Sequence, residues 1–295
     1  MSKRAVVLIV LAVVVLGGTS LMVLSLLSLR ASGEAGMGFP AFGPKVALVE
    51  LTGTIVDARP VVRQLKQFRQ DGSVRAIVLR IESPGGGVAA SQEIHDEVRK
   101  TRESGKIIVA SMGSVAASGG YYVAVPATRI MANPGTTTGS IGVVAELPNI
   151  RRLLDKLGID FTVIKSGKFK DTGSPYRGLT EAERAYLQQW VDDAFAQFVD
   201  AVAEGRRMER ARVLELADGR VFTGLQALRS GLVDTLGTFE DAIRLAADLA
   251  GIKGEPRLVR QERRGLRLID LLFQNVRQLI EAVDRSPRLS YKMVF

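Results

Sequence analysis

The chain has 295 residues, 46% of them hydrophobic, and a formal net charge of +9, a length that holds one large domain or two small ones. It has no cysteine, which excludes thiol catalysis, a cysteine-linked lipid anchor and a Cys-ligated zinc. Residues 251–295 carry ten Lys/Arg against five Asp/Glu, so the basic excess is concentrated in a tail suited to solvent or to anionic lipid headgroups rather than to nucleic acid.

Residues 1–4 include Lys3 and Arg4, and Ala5 to Leu27 then runs 23 residues without a charge. At about 1.5 Å per residue that run crosses a bilayer core of roughly 30 Å. It is longer than the apolar part of a cleaved signal peptide, which spans about 7–15 residues. We expect an uncleaved transmembrane anchor over residues 5–28. The basic flank favours an N-terminus in the cytoplasm and the bulk of the chain outside. Residues 29–44 are rich in Gly, Ala, Ser and Pro and read as a flexible linker.

From there strands and helices alternate. Short apolar runs predict strands over 46–51, 76–81, 107–110, 129–132 and 161–164. Helical spacing predicts helices over 61–70, 91–103 and 149–157 between them. The alternation argues for an α/β fold with a largely parallel sheet covered on both faces. A long helix is expected over 180–205, opened by a Thr180/Glu183 capping box, with Leu187, Trp190, Val191, Phe195, Phe198 and Val199 as its apolar stripe. Trp190 reads as core. Shorter helices follow over 209–217, 223–230 and 238–250. Leu266, Ile269, Leu272, Val276, Ile280 and Val283 give a basic amphipathic helix, and residues 289–295 read as extended and apolar.

Three segments point to chemistry. Met112 to Tyr122 continues the 107–110 strand through a turn of small residues into a helix start, with Ser118 at the turn. Free N–H groups at a helix start suit a nucleophile that needs an oxyanion held beside it. Glu82-Ser83-Pro84-Gly85-Gly86-Gly87 lies between a strand and a helix and lacks both the P-loop ending and the dinucleotide-site spacing. Alone it is a turn; beside Ser118 it makes the second half of an oxyanion hole. Lys165, Lys168 and Lys170 are the candidate bases for a Ser-Lys pair. A catalytic lysine must be neutral at working pH, and composition does not choose among the three. The one histidine, His95, points off the Ile94/Val98 core stripe and reads as structural. No Asp/Glu/His cluster has metal spacing, so neither a metal nor a cofactor is expected.

These segments resemble the signal peptide peptidase A family, the S49-type serine proteases of ClpP/crotonase fold built from repeated ββα units. The matching stretches are 83–87, 117–122, Thr138-Gly139-Ser140-Ile141-Gly142-Val143, 166–171 with Ser174-Pro175, 219–224 and 231–234. The resemblance covers residues 45–252 as a single peptidase domain, in the short form rather than the tandem one, and leaves 253–295 as a tail. It implies Ser118 as nucleophile, Lys170 as general base and Ser140 as the hydroxyl that orients the lysine amine. The N–H groups of Gly119 and of Gly85 or Gly86 would form the oxyanion hole. It further implies peptide substrates, remnant signal peptides above all, and a ring-shaped homo-oligomer at a bacterial membrane. A ClpP-like triad would need a histidine after the serine, and the chain has none there. Two other readings stand beside this one. An acyl-CoA hydratase or isomerase of crotonase fold would share the glycine loops without needing Ser118 and Lys170 together. A silent membrane scaffold would keep the fold and lose the chemistry. The apolar end of the tail is expected to reach either the active site, as a strand beside Gly85–Gly87, or the membrane.

Overall fold

The computed structural model describes residues 44–261 and 290–292. The anchor expected over 5–28, the linker as far as residue 43 and the amphipathic helix expected over 266–283 lie outside them. Among the described residues no helix is long and apolar enough to cross a membrane.

The strands are β1 (Lys45–Thr52), β2 (Val74–Ser83), β3 (Gly85–Gly87), β4 (Ile107–Ala117), β5 (Arg129–Ala132), β6 (Thr137–Gly139), β7 (Val221–Thr223), β8 (Thr235–Leu236), β9 (Arg257–Arg260) and β10 (Ser290–Lys292). The helices are α1 (Arg59–Gln70), α2 (Val88–Glu103), α3 (Gly119–Ala124), α4 (Arg151–Leu157), α5 (Glu181–Arg206), α6 (Arg210–Leu216), α7 (Gly224–Arg229) and α8 (Phe239–Leu249). The main sheet runs β7-β6-β4-β2-β1-β9, with β5 paired to β4 and β8 to β5. Among its described pairings only β6–β7 is antiparallel. The result is the mixed α/β architecture expected, with a parallel-rich sheet.

Strand periodicity explains the two layers. Ala47, Val49, Leu51, Ile77, Leu79 and Ile81 face a large core that includes Leu65 of α1, Ile94 of α2, Tyr121 of α3 and Phe198 of α5. Their neighbours Val46, Leu48, Ala76 and Val78 face Ala242, Ile243, Ala246 and Ala247 of α8. A strand buried on both faces reads as a near-continuous apolar run, as 46–51 and 76–81 do, each broken once, at Glu50 and at Arg80. Helix starts follow local chemistry: Pro60 sits in the first turn of α1, and Thr180, Thr223 and Thr238 each close a capping box.

Two expectations need correction. Phe161 to Ile164 forms no strand; the run is apolar and β-branched, but strand propensity is realised only through a partner, and Ile164 stands 97% exposed. The stripe of α5 is buried only in its second half: Ala194, Phe198, Val199 and Val202 are core, while Leu187, Trp190 and Val191 are half-buried.

Candidate active site

The active-site candidates gather where β4 ends. Ser118 caps α3 with φ 54° and ψ −117°. A non-glycine residue there is strained, and such strain persists only where its surroundings hold it. The Ser118 N–H donates to the Gly139 carbonyl at 2.7 Å, and the Ser118 carbonyl accepts from the Tyr122 N–H at 2.8 Å. Ser118 is 1% exposed, and its Oγ has no hydrogen-bond partner among the described residues. A buried hydroxyl normally finds a partner; this one is held free.

Ser140 reaches the same place through the sheet. Val115, Ala116 and Ala117 of β4 pair in parallel with Thr137, Thr138 and Gly139 of β6, so the next residue of each strand, Ser118 and Ser140, leaves the sheet side by side. Ser140 also has positive φ, 51°, is 7% exposed, and donates its N–H to the Arg220 carbonyl at 2.9 Å.

The glycine loop abuts the helix start. A Cβ on Gly119 would lie 3.2 Å from Gly85 Cα and 3.2 Å from Gly86 N, so the three glycines touch because none has a side chain. The Gly85 N–H donates to Ser83 Oγ at 3.1 Å. Ile55 donates to the Gly85 carbonyl at 2.9 Å and accepts from the Gly87 N–H at 2.7 Å. By strand alternation, the N–H and carbonyl of Gly86 face the opposite edge. On that edge lies β10, antiparallel, with Tyr291 opposite Gly86 and Lys292 opposite Gly85. The tail thus reaches the candidate site as an added strand, one of the two destinations expected of it.

Lys170 lies on the exposed segment after α4. The structure does not bring it into hydrogen bonding with Ser118. The neighbouring ions separate Lys165 from the other two lysines. Lys165 is paired with the Asp171 carboxylate, and Lys168 stands over the Phe169 ring. Asp171 is also bound by Arg177 at 2.8 Å, and Arg177 reaches on to the buried Glu183. Arg177 and Lys165 hold the Asp171 carboxyl below the usual carboxylate range. Among the described residues neither Lys168 nor Lys170 has a hydrogen bond or ion pair at its ammonium, so these contacts set Lys165 apart and leave the other two as candidates. The His95 ring packs 4.7 Å from that of Tyr122, tilted by 46°, and burial pushes its imidazole down to about 4, so it is a neutral packing residue.

An α/β domain that offers a strained, buried serine at a strand-to-helix turn, beside two glycine segments, defines a class of nucleophilic serine enzymes. Residues 100–253 match the model of Peptidase family S49. A Synechocystis sp. protein provisionally named a protease is 48% identical over 210 residues, 70% of this chain and 75% of that one. A provisionally named protease of Methanocaldococcus jannaschii is 34% identical over 284 residues, 90% of this chain and 89% of that one. A provisionally named signal peptide peptidase of Enterococcus faecium is 43% identical over 180 residues, 61% of this chain and 52% of that one. The chain belongs to peptidase family S49, and membership implies a serine protease acting on peptides. That implication favours the protease reading over the acyl-CoA one.

Proposed function

We propose that the chain is a membrane-anchored Ser-Lys endopeptidase of ClpP/crotonase-like fold that cleaves extended apolar peptides, chiefly remnant signal peptides. The observation that carries the reading is the Ser118 hydroxyl, buried, strained and unpartnered beside Ser140 and the glycines. A substrate strand adds to the Gly86 edge as β10 does. Lys170 Nζ takes the Ser118 proton, and Oγ attacks the scissile carbonyl. The resulting oxyanion is held by the N–H groups of Gly119 and Gly86, since that of Gly85 is engaged by Ser83. The proton passes to the leaving amine, the peptide bond breaks, and water then releases the acyl group from Oγ. Ser140 orients the amine.

An exposed lysine is a poor base, so Lys170 needs a cover. Leu157, Phe161, Val163, Ile164 and Phe169 are exposed on the same segment, a patch suited to a second copy of the chain. In a ring-shaped homo-oligomer this face would be covered, and Lys170 would serve the Ser118 of a neighbour. The anchor over residues 5–28 would hold the catalytic domain outside the cytoplasm of a bacterial cell, against the membrane lipid that supplies its substrates. The test is hydrolysis of an apolar peptide by Ser118→Ala and Lys170→Ala. Each should lose at least about 10³-fold in kcat; a Lys170→Ala variant that keeps its rate removes the dyad.

A further inference from the structure

Strand β4 changes partner halfway. Val109 to Met112 run beside β5, and Val115 to Ala117 run beside β6. Its pairing with β2 breaks at the same place. Ile81 pairs with Met112, yet Ser83 pairs with Ala116, so Gly113, Ser114 and Val115 stand opposite Glu82 alone. The extra residues of such a bulge lose their ladder partners; Ser114 is exposed to water, but Val115 is half-buried, where an unpaired N–H is costly.

Here a side chain supplies the missing acceptors. The Ser114 N–H donates to Glu82 Oε2 and the Val115 N–H to Glu82 Oε1, each at 2.9 Å. From the other side the buried Thr136 hydroxyl donates to the Gly113 carbonyl at 2.7 Å. The carboxylate lies so close over Gly113 that a Cβ at that position would run into Oε2. Arg80 steadies the strand just before the bulge, donating to Ser111 Oγ at 3.0 Å and to the Met112 carbonyl at 3.2 Å.

We infer that Glu82 is a positioning residue for the nucleophile, acting through the bulge. Its carboxylate holds Ser114 and Val115 in the conformation that carries β4 away from β5 and into register with β6. That register sets Ser118 beside Ser140. Releasing the clamp lets the nucleophile turn drift against its orienting hydroxyl. The peptide-binding edge at Gly85–Gly87 keeps its own supports, Ile55 and Ser83, so the loss falls on the chemical step and spares binding. The inference rests on the role proposed for Ser118.

The test compares the full chain with Glu82→Gln, Gly113→Ala and Ser118→Ala in hydrolysis of an apolar peptide and in the rate of fluorophosphonate labelling. Glutamine keeps the length and one acceptor, but its amide nitrogen cannot accept an N–H. Gly113→Ala displaces the carboxylate without removing it, so it serves if Glu82→Gln fails to fold. Each folded variant should lose about tenfold in kcat with KM within about twofold of wild type, and labelling should slow in step. Wild-type kcat in either folded variant, or a loss confined to KM, overturns the inference while Ser118→Ala stays inactive. An active Ser118→Ala instead overturns the nucleophile assignment, and the role of Glu82 with it.

Discussion

Gly119→Ala separates the chemistry from the fold. Gly119 is the first residue of α3 and does not lie in the left-handed region, so alanine suits its backbone and gains about 0.5–1 kcal/mol over glycine in a helix. The new Cβ would stand 2.6 Å from Ser91 Oγ and 3.2 Å from Gly85 Cα and Gly86 N. Ser91 can rotate away, giving up its bond to the Gly87 carbonyl at 2.9 Å. Gly85, at φ 102°, has little freedom to adjust alone, so the glycine loop moves as a unit by a few tenths of an ångström. Overpacking of this kind costs about 1–3 kcal/mol, partly offset by the helix gain, so the variant folds. The oxyanion site has no such offset: losing one donor costs about 10²–10³ in kcat, or roughly 3–4 kcal/mol. Steady-state hydrolysis of a fluorogenic apolar peptide, with a thermal melt of the same sample, should therefore show kcat down about 100-fold and KM within about threefold. A folded Gly119→Ala protein with wild-type kcat would refute the assignment of Gly86 and Gly119 to the oxyanion site.

Three further outcomes follow from the same geometry. Mixing Ser118→Ala with Lys170→Ala protomers, each inactive alone, should restore part of the activity in mixed rings; no recovery in verified mixtures places the dyad within one chain. Deleting residues 286–295 should raise peptide hydrolysis, because β10 occupies the Gly86 edge, and mass spectrometry of the intact chain should show Ser118-dependent trimming of the tail. An intact tail whose deletion changes neither hydrolysis nor liposome binding has neither role. His95 is held neutral by burial, at about 4 against 6.5 for an ordinary histidine. The unfolded chain therefore takes up its proton first, and the contribution is complete above pH 6.5 and lost as pH falls through about 4. Over that window wild type should lose about 3 kcal/mol more stability than His95→Phe; parallel pH–stability curves would contradict this.

Much of the site was legible because its chemistry is local. Ser118 stood out from a strand, a run of small residues and a helix start, and Thr180 with Glu183 marked the start of α5. Ser140 was accessible only through the family resemblance, since its place depends on β6, a three-residue strand too short to leave a periodic signal. The same applies to β7 and β8, three and two residues long: Val221-Phe222-Thr223 has the composition of a strand, but a run this short shows no period. The run 161–164 shows the converse: it has the composition of a strand but no strand to pair with among the described residues. Glu82 lies at the start of the glycine-loop segment 82–87, where the sequence reads as a turn. The available signal was a carboxylate at the end of a buried apolar strand, where a charge needs acceptor-seeking partners. Those partners, the N–H groups of Ser114 and Val115, come into reach only through the bulge.

The most direct measurement is fluorophosphonate labelling of the full chain, with the modified residue located by mass spectrometry. The account predicts one adduct on Ser118, lost in Lys170→Ala and unaffected by His95→Ala. An adduct on Ser140 or elsewhere, or labelling that survives Lys170→Ala and disappears in His95→Ala, would contradict it.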